Sequence, residues 1–178
     1  DLFPTFLKLK FVSVVKTTQE NIKPDFFPTF YKLFMNKYSK IRVSVRAVCI
    51  ADEKMLFQTD LKDSIPVYAT LGGELEPGEK MEERLKLEFM EEADTEIVII
   101  KYLFVIENFL MYNDKPGHSL EHYFLIKIPS VQLTSRESHL SFHWLPVKAI
   151  GSLNIKPQIL KDIILKGELL NARHLTSE

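Results

Sequence analysis

The stretch Gly72-Gly-Glu-Leu-Glu-Pro-Gly-Glu-Lys-Met-Glu-Glu-Arg-Leu-Lys-Leu-Glu-Phe-Met-Glu-Glu92 constrains this chain more than any other. Met81, Leu85 and Phe89 recur every four residues and supply one apolar helix face, so a helix is predicted from about Lys80 to Ala93. Glu88, Glu91 and Glu92 stand at i, i+3 and i+4 and share a different face. Like charges at such spacings destabilise a helix by about 0.2–0.5 kcal/mol per pair. A cation bound among them reverses that penalty. Carboxylate oxygens suit Mg²⁺ or Mn²⁺, and nothing nearby suits a thiolate or multi-histidine site. Gly72-Gly73 permits close backbone approach and offers carbonyls as further ligands, while Pro77-Gly78 marks a turn before the helix. A strand, a glycine turn, a loop and an acidic helix together make a metal–pyrophosphate site plausible on physical grounds.

The rest of the composition is that of an ordinary folded chain. Its 178 residues are 46% hydrophobic and 26% charged, enough for one domain with a sizeable core. Collagen-like, low-complexity and disulfide-stapled classes are excluded. Cys49 is the single cysteine, which points to a reducing, cytoplasmic setting. No membrane span or secretory signal is expected, and a first residue of Asp1 rather than methionine allows for a missing natural N-terminus. The net charge of −1 hides a polarised distribution. Residues 1–50 hold nine Lys/Arg against three Asp/Glu, and residues 51–100 hold five against fourteen. The basic excess is too dispersed for a nucleic-acid patch, and the acidic cluster argues against one, so no DNA binding is expected.

Organisation changes near residue 40. Asp1-Leu-Phe-Pro-Thr-Phe-Leu-Lys-Leu9 recurs as Asp25-Phe-Phe-Pro-Thr-Phe-Tyr-Lys-Leu33, a duplication too short for a repeat architecture. Phe11–Val15 reads as a strand, and Phe30, Leu33, Phe34 and Tyr38 follow helical spacing. Residues 1–40 are therefore taken as an extension of unknown role. Arg42–Ile50 alternates as a strand, with a turn at Ala51–Lys54 and a returning strand at Met55–Gln58. Strands are also expected over Glu96–Asn108 and His122–Ile128, flanking a turn at Asn113–Gly117. Lys156–Leu170 reads as a closing helix with Pro157 near its start, leaving 171–178 as a tail. An α+β fold with a mixed sheet between helices fits best.

Gly73, Glu79 and Glu88-Phe-x-Glu91-Glu92 match most of the Nudix box, G-x5-E-x7-R-E-U-x-E-E-x-G-U, so residues 41–170 resemble a Nudix hydrolase domain. Leu71-Gly-Gly-x-x-Glu-x-Gly-Glu79 is similar to the "LGG" variant of the box. Ile106–Phe109, Lys115–His118 and Trp144–Pro146 resemble features of MutT-like members. Two positions depart from the pattern. Leu87 stands where the family has an arginine that pairs with and orients the box glutamates, and Asp94 stands at the helix-ending glycine, followed by Thr95. Asp94 tolerates a left-handed conformation less easily than glycine.

The resemblance implies an α/β/α sandwich and a pyrophosphohydrolase acting on phosphoric anhydrides. Its substrate would be a nucleoside triphosphate or related small nucleotide, attacked by water at phosphorus with Mg²⁺ or Mn²⁺ as cofactor. By box position Glu88 and Glu92 are the principal metal ligands, with Glu91 supplementary and the Gly72 or Gly73 carbonyl completing the shell. Glu79 stands behind them or serves as a helix-start glutamate. The general base varies in this family. Glu91 and Glu92 are catalytic candidates within the box and Glu137 the first outside it, followed by Glu107 and Glu121. His118, Phe109 and Glu79 are candidate substrate contacts, with His122 and Tyr123 behind them. The alternatives are a structural histidine at 118 and 122 and core or sheet-face packing, the favoured reading, at Phe109 and Tyr123. A homodimer is compatible with the family. The alternative, motivated by Leu87 and Asp94, is a catalytically weak or silent nucleotide-binding module.

Overall fold

The computed structural model describes residues 40–112, 115–171 and 173–176. The duplicated segment, the expected strand at Phe11–Val15 and the helical spacing of Phe30, Leu33, Phe34 and Tyr38 lie outside the described residues. β1 (Ile41–Ala51) and β2 (Lys54–Asp60) form a hairpin whose turn residues Asp52 and Glu53 both take positive φ. Such a turn matches the right-handed twist of the flanking strands. The acidic helix α1 runs Met81–Ala93, then come β3 (Val98–Tyr112), β4 (Lys115–Lys127) and β5 (Leu140–Pro146). A 3-10 helix (Val147–Ser152), α2 (Gln158–Leu165) and β6 (His174–Thr176) complete the order.

The strands make one six-stranded sheet in the order β5-β2-β1-β4-β3-β6. β1 runs parallel to β4 and β3 parallel to β6, and the remaining pairs are antiparallel. The sheet is mixed, as expected, and each face carries a core. Val45, Ala47, Cys49, Phe124 and Ile126 pack with Leu85 and Phe89 of α1. Val48, Phe57, Phe104, Ile106 and Tyr123 pack with Leu160, Ile163 and Ile164 of α2. This is the α/β/α sandwich that the resemblance implies. Among the described residues no helix is long and apolar enough to cross a membrane.

One irregularity of the sheet builds the site. β1 and β2 pair only beside their turn, at Ile50↔Met55 and Ala51↔Lys54. The segment 71–75 enters the gap on the free edge of β1. Ala47 N–H donates to the Leu71 carbonyl at 2.8 Å, Val45 N–H to Gly73 at 2.9 Å, and Leu75 N–H to Val43 at 2.8 Å. The glycine pair is thus held against the sheet by backbone hydrogen bonds.

Three element boundaries differ from the sequence expectation. β3 and β4 extend towards each other until Tyr112 pairs with Lys115, so most of the turn-rich cluster lies in strands. Pro116 and Gly117 sit near the start of β4, where a missing amide donor is tolerated. α2 stops at Leu165, five residues early, because Gly167 takes φ +70°. Gly167 N–H then reaches the Ile164 carbonyl and Glu168 N–H the Ile163 carbonyl, the double bond of a Schellman cap. The expected tail also contributes β6, which pairs Val105↔His174 through Glu107↔Thr176.

Candidate functional site

Gly73 meets the acidic helix and Gly72 the backbone of β1, each across a gap that excludes any side chain. Gly72 takes φ +140°, and a Cβ there would lie 1.9 Å from the Val45 carbonyl oxygen. A Cβ on Gly73 would lie 1.7 Å from Glu88 Oε1. Small residues here let the Glu88 carboxylate rest directly on the glycine backbone. The Gly73 carbonyl accepts from Val45 N–H at 2.9 Å, and the Gly72 carbonyl accepts from Arg46 Nη1 at 2.9 Å.

The four glutamates of the motif have different surroundings. Glu88 is buried and paired with Arg84. Glu91 is largely exposed, with Oε2 3.7 Å from Arg84 Nη2. Glu79, in the loop before α1, accepts from Glu76 N–H at 2.9 Å and lies 3.9 Å from Arg84 Nη1. Although burial opposes its charge, Arg84 is held above the ordinary arginine range by Glu88, Glu91 and Glu79. Burial pushes the Glu92 carboxyl up to about 7, and the charges of Glu88 and Glu137 add to that rise while Arg46 and Arg84 oppose it. Glu92 Oε2 is buried without a hydrogen-bond partner among the described residues.

At its C-terminal end α1 is clamped by the loop before β5. Asp94 adopts the left-handed conformation (φ 49°, ψ 41°) that the family's glycine would take, and its N–H donates to the Phe89 carbonyl. The Asp94 carboxylate pairs with Arg136, whose backbone N–H donates to the Glu92 carbonyl at 2.8 Å. A cation at a helix C-terminus is favourable to the helix dipole. The clamp brings the neighbouring Glu137 near enough for its charge to act on Glu92.

The remaining candidates are distributed elsewhere. His118 and Phe109 stack across β3 and β4 with ring centroids 4.5 Å apart, and His118 Nε2 lies 2.9 Å from Glu107 Oε1. His118 is opposite Ile41 at the start of β1, whereas the glycine segment runs beside Val43–Ala47. His122 is half-buried, which lowers its basicity, and its Nδ1 is 3.1 Å from the Tyr102 hydroxyl. Glu121 is buried and accepts from Asn108, Ser119 and the Tyr123 hydroxyl at 2.9–3.1 Å. Tyr123 is fully buried and stacked on Phe104, leaving no face on which a nucleobase could rest. This is the core packing favoured for Tyr123 from the sequence.

Sequence reasoning missed Arg46, Arg84 and Arg136. A local signal existed for Arg84, which precedes Glu88 by four residues on the same helix face. Arg46 and Arg136 act on partners 26 and 42 residues away and left no local trace.

Among the described residues no three carboxylate, histidine or cysteine side chains form a ready-made cation cage. The donor set nevertheless fits a hard divalent ion. It offers carboxylate and carbonyl oxygens, a partnerless buried oxygen on Glu92, and Glu88 in the space left by Gly73.

No curated protein sequence matches the chain. Solved structures do. A Nudix hydrolase from Nitrosomonas europaea is 16% identical with a TM-score of 0.59, covering 74% of this chain and 93% of that one. The MutT protein from Bacillus halodurans is 17% identical with a TM-score of 0.56, covering 76% and 86%. An ADP-ribose pyrophosphatase from Streptococcus suis is 10% identical with a TM-score of 0.55, covering 75% and 98%. At these identities the likeness is one of fold. The family model described as the NUDIX domain matches residues 40–165, well over half of the sequence. With the sandwich, the glycine segment and the acidic helix in place, the chain belongs to the Nudix family.

Proposed function

We propose that this chain hydrolyses the pyrophosphate linkage of a nucleoside diphosphate derivative, such as a nucleoside triphosphate, with Mg²⁺ or Mn²⁺. The observation that carries this reading is the oxygen-lined junction of Gly72, Gly73, Glu88 and Glu92. Glu88, Glu92 and the Gly72 carbonyl would hold the ion, with Glu91 at its outer side. When bound, it would neutralise the pyrophosphate charge and favour ionisation of a water. Glu92 must then lose the proton that burial lets it keep up to about pH 7. The Arg46 guanidinium, donated to the Gly72 carbonyl, adds positive charge beside the phosphate path. Glu137, held by the Arg136 clamp, is the proposed acceptor of the water proton. The water oxygen bonds to phosphorus, the anhydride P–O bond breaks, and the leaving phosphate keeps the electron pair. The buried thiol of Cys49 supports a reducing, cytoplasmic setting.

The test is a panel of nucleoside triphosphates, nucleotide sugars, ADP-ribose and dinucleotide polyphosphates, with products identified by mass. Metal-dependent release of a mononucleotide or pyrophosphate is expected, with loss in Glu92→Gln. No metal-dependent turnover across the panel would refute the hydrolase reading. Leu87 and Asp94 favour a second reading, a silent binding module, which calorimetry would reveal as nucleotide binding without hydrolysis.

A further inference from the structure

Leu87 occupies the helix position where a Nudix chain is expected to carry its orienting arginine, and it points outward, 47% exposed. The guanidinium that reaches the box glutamates comes instead from Arg84, one turn earlier. It pairs with Glu88 and lies 3.7 Å from Glu91 and 3.9 Å from Glu79. Helix geometry explains why this position serves. At about 100° per residue, Arg84 projects about 20° from Glu91 and 40° from Glu88, and position 87 about 40° from Glu91, so a long side chain can reach this carboxylate group from either position. Side chains on a helix lean towards its N-terminus, so Glu88 and Glu91 tilt back onto Arg84. Glu79 precedes the helix and is nearer in sequence to position 84 than to position 87.

We propose that Arg84 is the positioning residue of this site, taking over from three residues earlier the work of the arginine missing at Leu87. The inference rests on the hydrolase reading for its activity measurements, although its ion-binding measurement does not. The planar fork of arginine can meet several carboxylates from a fixed geometry, which the single ammonium of lysine cannot. Arg84 therefore fixes the directions of Glu88 and Glu91, and Glu79 anchors it from the loop. The departure at Leu87 is a relocation of the charge.

The experiment compares the native chain with Arg84→Gln, Arg84→Lys, Leu87→Arg and the double variant Arg84→Gln/Leu87→Arg. The readouts are kcat, KM and Mn²⁺ affinity, the last from the paramagnetic resonance of free Mn²⁺. Arg84→Gln is expected to lower kcat at least about tenfold with KM within about threefold, the signature of lost orientation. It should bind Mn²⁺ about threefold more tightly, because a neighbouring cation has gone. Arg84→Lys should keep the native Mn²⁺ affinity but not the native kcat. The double variant should return both values to within about threefold of the native ones, a rescue that a merely structural arginine would not give. Leu87→Arg alone should change kcat by less than about threefold, and this holds the proposal open to refutation even if Arg84→Gln fails to fold. Unchanged kcat in Arg84→Gln, no rescue in the double variant, or a tenfold gain in Leu87→Arg alone would each overturn it. If the native chain hydrolyses nothing, the hydrolase reading fails. The Mn²⁺ affinities of Arg84→Gln and its double variant then still decide whether the charge is interchangeable between the two positions.

Discussion

Gly73→Ala is a one-methyl perturbation whose consequence can be worked from distances. The new Cβ would stand 1.7 Å from Glu88 Oε1 and 2.2 Å from its Cδ, whereas ordinary contact begins at 3.4 Å. Gly73 does not have a positive φ, so its backbone accepts alanine without strain. The carboxylate is the end of a flexible side chain, so it retreats by more than 1.5 Å and breaks its bond to Arg84. Losing a charge-assisted hydrogen bond costs about 1.5–3 kcal/mol. Partial solvent access to Arg84 lowers the expected loss to about 1–2 kcal/mol of stability. Activity should suffer more, because a misplacement of about 1 Å at a reacting centre costs on the order of 10²-fold. Gly72→Ala provides the contrast. There the methyl would meet the Val45 carbonyl oxygen at 1.9 Å, in backbone fixed by the sheet and at φ +140°. It should cost about 3 kcal/mol or more and lose the fold together with the activity. Urea denaturation and metal-dependent turnover on both variants make the comparison. A folded Gly73→Ala with activity within about threefold of native would refute the placement of Glu88 against this glycine.

Asp94→Gly relieves a left-handed residue but loses the pair with Arg136, two opposing effects of about 1 kcal/mol each, so stability should change by less than about 1 kcal/mol in urea denaturation. The fold holds the Glu92 proton up to about pH 7, whereas an unperturbed glutamate loses it near 4.5, so the folded chain binds the extra proton between those values. The metal-free chain should therefore be most stable below pH 4.5 in this respect and lose on the order of 2–3 kcal/mol as pH rises from there through 7, somewhat under the full linkage value because the carboxyl is only partly buried. Melting curves in a chelator should show that slope, and Glu92→Gln should flatten it. Burial pushes the Cys49 thiol up to about 11, so a thiol reagent at pH 8 should leave the native chain unlabelled and modify it fully in denaturant.

The acidic helix was legible because its information is local. Met81, Leu85 and Phe89 fixed the packed face, and the three glutamates fixed the other to within a residue of the observed Met81–Ala93. The hairpin turn at Asp52-Glu53 was equally local. What escaped was the pairing that carries the site. No pattern in 71–75 announces that it fills the gap between β1 and β2, since that follows from the two strands parting beyond Ile50. The reach of β4 back to Lys115 was hidden by Pro116 and Gly117, whose turn preference yields to ten strand pairs further along β3. Arg84 was readable in principle from its spacing to Glu88. Reading the motif as a string of fixed positions drew attention to Leu87 instead, although a carboxylate senses where a charge is in space and not which residue number bears it.

The bond from Arg136 N–H to the Glu92 carbonyl joins two parts that are usually considered separately, a helix end and a loop. Lifting the loop to move Glu137 strips the last turn of α1 of a backbone partner and of the Arg136–Asp94 pair. The two exchanges together cost on the order of 1–2 kcal/mol. Opening of this loop and fraying of the helix are therefore one thermodynamic event. Hydrogen exchange at the amides of Ala93–Thr95 would therefore report the opening of the loop that carries Glu137.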